Sequence, residues 1–147
     1  MIKSYVDSNV FIFGLRRRGT NSFLVLESAA IGKFIPVVSY YTIEEVDNWF
    51  KSNVDRGEAF KARLFIEGLN SVQIINLESV KNILPLHKNK VPEDDLPHFC
   101  ATKISNSDCL TSTNRHFLKE QKEILTKTPK EFVRDYLKLK TIYETDE

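Results

Sequence analysis

The chain has 147 residues, 41% of them hydrophobic and 28% charged, with five Gly, five Pro and a formal net charge of +1. That length suits one domain, 1–147, whose core needs no disulfide or structural metal. The near-zero net charge excludes a globally basic nucleic-acid binder, so any such surface must gather its cations locally.

Taken in order, Ile2 to Val6 reads as a first strand leading into the apolar stretch Val10 to Phe13. Phe23, Leu26 and Ala30 recur at helical spacing, Gly32 ends that helix, and Phe34 to Val38 reads as a buried strand. Ile43, Val46 and Phe50 mark a second helix, and Phe60, Leu64, Phe65 and Leu69 a third. Val72 to Ile75 is a further strand, and Pro85 to Pro92 a loop carrying His87, Lys88 and Lys90. A helix is predicted from Asp95, since Pro97 has no N–H and is comfortable only in a first turn. Asp108 to Ser112 then reads as a strand, Asn114 to Lys122 as a short helix and Ile124 to Thr126 as a last short strand. A final helix opens with Thr128 as cap and Pro129 at its first position. Strands alternating with helices predict βαβ units around a mostly parallel sheet, with ligands bound outside the carboxyl ends of the strands.

No apolar run approaches the ~20 residues that span a bilayer, and no charged leader precedes the first strand. Cys100 and Cys109, with eight residues between them, match no familiar zinc spacing and read as reduced thiols. These features predict a cytoplasmic protein without a membrane partner.

The acids carry the chemistry. Asp7 follows the first strand, where a carboxylate beside Val6 and Val10 is costly without donors or a cation. At about 100° per residue, Glu44 points away from the face of Ile43, Val46 and Phe50, while Glu45 lies at its edge and can border a cleft. Asp94 and Asp95 open a helix, and Asp108 and Asn114 flank a strand. Singly, each is also an ordinary cap or turn residue. Together they fall at element boundaries expected at one sheet edge, where converging carboxylates repel unless a cation neutralises them. Oxygen ligands point to Mg²⁺ or Mn²⁺, and the three histidines have no zinc spacing.

On those residues the chain resembles the PIN-domain nucleases over nearly its whole length. YVDSNVFIFGL is similar to the first motif, matching Asp7, Ser8 and Asn9; VVSYYTIEEV is similar to the second, its acid Glu45 six residues after Ser39. DLPHFCAT resembles the third through Asp95, His98 and Ala101, and SDCLTSTN the fourth through Asp108, Ser112 and Asn114. ILTKTPKEFV resembles the closing Thr-Pro-x-Glu-Phe segment. Two departures stand out: Asn114 occupies a position that is often Asp, and His116 precedes Phe117 where an acid is usual.

The resemblance implies a three-layer α/β/α PIN-like fold and metal-dependent hydrolysis of RNA. Asp7, Glu45, Asp95 and Asp108 would be catalytic, with Asp7 and Asp95 on the metal and Glu45 and Asp108 acting directly or through water. Asn9, Ser112 and Asn114 would form a secondary set. Arg16, Arg17 and Arg18 are the densest cluster of positive charge and the expected grip on RNA phosphates, with Lys88 and Lys90 assisting. His98 reads as structural, and Phe11, Phe13, Trp49 and Phe50 as core. Size and motif set are similar to the toxin ribonucleases of type II toxin–antitoxin pairs, which implies a small antitoxin partner and a homodimer. The alternatives are a PIN-like binding or scaffold module weakened by Asn114 and a housekeeping RNA-processing nuclease. A phosphoacceptor domain is disfavoured, because Ile2 to Val6 holds no acid and no Lys ends the strand after Asp108.

Overall fold

A computed structural model describes residues 1–144. Its sheet has five parallel strands in the order β3-β2-β1-β4-β5, namely β1 (Lys3–Val6), β2 (Ile35–Ser39), β3 (Gln73–Ile75), β4 (Cys109–Thr111) and β5 (Thr126–Lys127). Tyr5 registers with Val37 on one side and Leu110 on the other, and these three turn to the same face. That face is covered by α5 (Leu77–Ile83), α6 (Leu96–Ser105) and α7 (Arg115–Leu118), through Val80, Phe99, Cys100 and Phe117. Val6, Val38 and Cys109 turn to the other face, as the two-residue strand period requires. There they meet α1 (Ser8–Arg16), α2 (Asn21–Ala30), α3 (Tyr40–Asn53), α4 (Arg56–Glu67) and α8 (Pro129–Phe132). The result is a three-layer α/β/α arrangement. No helix among the described residues is long and apolar enough to cross a membrane.

Local chemistry sets the element ends as the sequence analysis expects at several points. Thr128 caps α8 in a reciprocal box with Glu131, and Pro129 stands in the first turn. Pro97 likewise sits in the first turn of α6. Gly14 is needed for close approach, since a Cβ there would lie 2.6 Å from Leu26 Cδ1 and 3.0 Å from the Ser22 backbone. This contact seats α1 on α2 and so places the arginine loop between them.

Two expectations are corrected and one element is added. Leu77–Ile83, to which the sequence pattern assigns nothing, forms helix α5, capped by Asn76. In α4 the buried residues are Ala59, Ala62 and Ile66, while Phe60 and Leu64 are 59% and 52% exposed. Small residues let α4 lie close on α3, and the large apolar ones are left outside. Phe13, expected in the core, is 45% exposed on the far side of α1 from Val10 and Phe11.

Candidate metal and nuclease site

Asp7 leaves the carboxyl end of β1 as the cap of α1 and is only 4% exposed. Its Oδ1 accepts from the Ser8 amide at 2.8 Å, and its Oδ2 accepts from the Ser112 hydroxyl at 2.7 Å and, weakly, from Asn9 Nδ2 at 3.5 Å. Its own amide continues the ladder to Thr111 O at 3.0 Å. The carboxylate is thereby held at the sheet edge with a lone pair to spare on Oδ1, while Oδ2 carries one strong and one long contact.

Glu45, in the second turn of α3, reaches the same edge. Its Oε1 accepts from His98 Nε2 at 2.7 Å, and one oxygen each of Asp7 and Glu45 with a ring nitrogen of His98 lie within 4.8 Å of one another. His98 is buried, and its Nδ1 lies 2.7 Å from the Tyr5 hydroxyl, which also meets Ser39 Oγ and Thr42 Oγ1 at 2.9 Å each. Burial works against charging His98. Tyr5, the Glu45 hydrogen bond and the charges of Asp7 and Glu45 outweigh it, holding the imidazole well above its usual value. Each ring nitrogen has a partner, Glu45 at Nε2 and the Tyr5 hydroxyl at Nδ1. Burial likewise raises Glu45, but the His98 hydrogen bond and charge and a Ser8 hydrogen bond bring it below the ordinary carboxylate value.

Asp95 approaches from the start of α6. Its Oδ1 accepts from Asn114 Nδ2 at 2.9 Å, the Asn114 amide donates to Ser112 Oγ at 2.9 Å, and Ser112 donates to Asp7. Burial and the charge of Asp7 raise the Asp95 carboxyl, against the pull of His116, Asn114 and His98. Asp7 and Asp95 are therefore neighbours whose repulsion the surrounding cations leave uncancelled.

Three solved structures are similar to this chain in fold. Chains from VapBC2 of Rickettsia felis bound to a promoter DNA fragment and from a toxin–antitoxin complex of Klebsiella pneumoniae align with TM-scores of 0.63 and 0.62, at 12% and 17% identity. The first covers 86% of this chain and 98% of its own, the second 87% and 98%. VapC20 of Mycobacterium tuberculosis, a sarcin–ricin-loop-cleaving toxin, aligns at 0.59 with 13% identity, over 78% of this chain and 92% of its own. The chain has the PIN-like fold. No protein-family model and no curated protein matches its sequence.

Within this PIN-like fold, Asp7, Glu45, Asp95, Asn9, Ser112 and Asn114 gather at the carboxyl edge of the sheet. Asp108 does not. It precedes β4, and its Oδ2 accepts from the Lys3 amide at 2.8 Å, so it stands at the amino edge with the strand between it and Asp7. A parallel strand has one flank at each edge, and only the trailing flank, Ser112 to Asn114, reaches the site. Arg16 ends α1, Arg17 and Arg18 follow it, and all three line a groove that also touches Thr113. Lys90 pairs with Glu123, away from the acids.

Tyr5 is the site residue that local pattern did not single out, because its partners Ser39, Thr42 and His98 lie 34 to 93 residues away; His98 was singled out, but as a structural histidine. The donor set fits a hard divalent ion: carboxylate oxygens of Asp7 and Glu45 lie within 4.8 Å of each other and of a His98 ring nitrogen, which the Glu45 hydrogen bond engages, and Asp95 joins the same edge through Asn114 and Ser112. The like charges of Asp7 and Asp95 are what such an ion would neutralise.

Proposed function

We propose that this protein is a Mg²⁺- or Mn²⁺-dependent endoribonuclease and the toxin component of a toxin–antitoxin pair. The observation that carries the reading is the meeting of Asp7, Glu45 and Asp95 at one edge of the parallel sheet. Asp7 and Asp95 would hold the metal, and Glu45 would complete the set. When bound, such an ion polarises a phosphate and lowers the pKa of water, supplying nucleophile and charge stabilisation together.

The chain's own residues do the rest. His98, fixed from behind by Tyr5, sets the position of the Glu45 carboxylate for an attacking water. Ser112 and Asn114 hold Asp7 and Asp95 in register with one another. Arg17 and Arg18 hold backbone phosphates beside the cut, with Arg16 leaning on Trp49 beside them. The toxin role draws on the structural neighbours, two of which come from toxin–antitoxin assemblies while the third is a toxin. A small antitoxin protein and a second copy of the chain are the proposed protein partners, and exposed Phe60 and Leu64 supply apolar surface for such contacts.

The test is cleavage of RNA by purified protein in Mg²⁺ and in Mn²⁺, with chelator and Asp7→Asn as controls, alongside growth arrest on expression. Cleavage and arrest that both disappear in Asp7→Asn support the reading. One observation favours a second: Asn114 Nδ2 already occupies Asp95 Oδ1, as in a module that binds RNA without cutting it. Metal-independent RNA binding with no cleavage would establish that module instead.

A further inference from the structure

Beside the acidic edge lies a groove of about 1030 Å³, lined among others by Phe13, Arg17, Arg18, Thr113, Leu118 and Tyr143. Its size is that of the larger ligand sites. Thr113 joins it to the acids, since that residue lies between Ser112 and Asn114 and its amide donates to Asn9 Oδ1 at 3.4 Å. The groove differs from the acidic edge in character, presenting aromatic rings and guanidinium groups.

Tyr143 is 83% exposed, yet its backbone is pinned. Fully buried Asn21 donates from Nδ2 to Ile142 O and accepts the Ile142 amide at Oδ1, both at 2.8 Å. The adjacent Glu144 accepts from the Asn21 amide and side chain, so its charge is committed to the N-terminus of α2. Arg16 is committed too, with its guanidinium 4.9 Å from the Trp49 ring centre. Arg17 and Arg18 are exposed and make no ion pair among the described residues. The groove therefore offers two uncommitted cations beside an aromatic wall formed by Phe13 and Tyr143.

We propose that this groove holds an unpaired nucleotide of the substrate strand next to the cut, with its base stacked on the Phe13 and Tyr143 wall and its phosphates on Arg17 and Arg18. The assignment rests on the ribonuclease reading of the neighbouring acids, because a strand lying on those acids continues past Thr113 into the groove. Stacking on exposed aromatics is open to single strands, whose bases are free, and closed to a duplex, whose bases are paired inside.

The experiment measures binding of a fluorescent single-stranded oligoribonucleotide to the full chain in EDTA across a salt series, so that cleavage does not intervene. Tyr143→Ala should weaken binding at least about fivefold without changing the salt slope, and Tyr143→Trp should restore it. Arg17→Ala with Arg18→Ala should instead reduce the slope of log K against log salt by roughly 1.4, the value for two phosphate contacts on a single strand. A duplex of the same sequence should be indifferent to Tyr143.

Unchanged binding by Tyr143→Ala overturns the proposal. So does an equal loss with duplex, or an acidic aromatic peptide that takes the groove while the oligoribonucleotide does not bind. Cleavage in Mn²⁺ is scored in parallel. Cleavage with an indifferent Tyr143 removes the groove assignment alone. Tyr143-dependent binding without cleavage removes the ribonuclease reading and leaves the strand groove in place.

Discussion

Tyr5→Phe tests the relay behind Glu45 in a single atom. The ring is fully buried and keeps its packing, so the change removes only a hydroxyl whose neighbours are Ser39, Thr42 and His98. Thr42 Oγ1 still accepts the Ser39 amide at 3.3 Å, so the unavoidable orphan is His98 Nδ1. An unsatisfied buried donor costs about 1–3 kcal/mol, more when charged, so a loss of about 2–3 kcal/mol is expected. With a urea m-value of about 1–3 kcal/mol/M, the midpoint should fall by roughly 1–2 M. The pH dependence gives a second reading in metal-free protein. His98 is held well above its usual value, so its stabilisation is complete below the unfolded value of about 6.5. That stabilisation is lost as pH climbs through the elevated one. The gap between wild type and Tyr5→Phe should therefore be widest near pH 6 and narrow in alkali. As a positioning change it should also cost about 10–100-fold in activity or metal affinity. Equal urea midpoints, or a gap that widens with rising pH, would refute the relay.

Four further changes separate the roles of the acids. Asp7→Asn should cut cleavage by at least about 100-fold and abolish Mn²⁺ binding by calorimetry while the chain stays folded. Asp95→Asn should raise the melting temperature of the metal-free protein at pH 7. Its carboxyl is raised by burial and by Asp7, so the ionised form is disfavoured in the fold; the gain should fade as acid protonates Asp95 in the wild type. Asn114→Asp should do the reverse, lowering metal-free stability at neutral pH and increasing the stabilisation that Mn²⁺ brings, both read by thermal melts. Asp108→Asn should leave cleavage unchanged in the same RNA assay, because that side chain serves the Lys3 amide at the opposite edge.

The sheet was legible because each strand is a short apolar run and each helix announces its start with a cap or a proline. Glu45 was legible for the same reason: helical geometry puts it at the border of the face carrying Ile43, Val46 and Phe50. Asp108 was misplaced because the motif resemblance that includes it outweighed its position: it leads a strand of a sheet read as parallel, and the site lies at the trailing end. The inward face of α4 was misread because size outweighed fit. Phe60 and Leu64 are the larger residues, but Ala59 and Ala62 allow the closer helix contact. Phe13 follows the same logic on α1, where Gly14 takes the contact with α2. The Tyr5, His98 and Glu45 chain had no local signal. Tyr5 looks like any core aromatic until His98, 93 residues on, supplies its partner.

These pieces describe one electrostatic balance. The carboxylates of Asp7, Glu45 and Asp95 must stand close enough to share a cation, which makes the empty edge unfavourable. His98 acts from the side of Glu45, its pKa raised by its neighbours and its ring braced by Tyr5 so that it cannot swing into the edge. Asn114 acts from the side of Asp95. Its Oδ1 accepts the His116 amide and its Nδ2 therefore points at Asp95, holding the acid without adding another negative charge. An aspartate there would accept from the same amide but could give Asp95 no hydrogen bond, and would repel it. The residue that departs from the usual acid thus lowers the cost of assembling the other three. In doing so it adds no fourth negative charge to the edge where the proposed ion would sit.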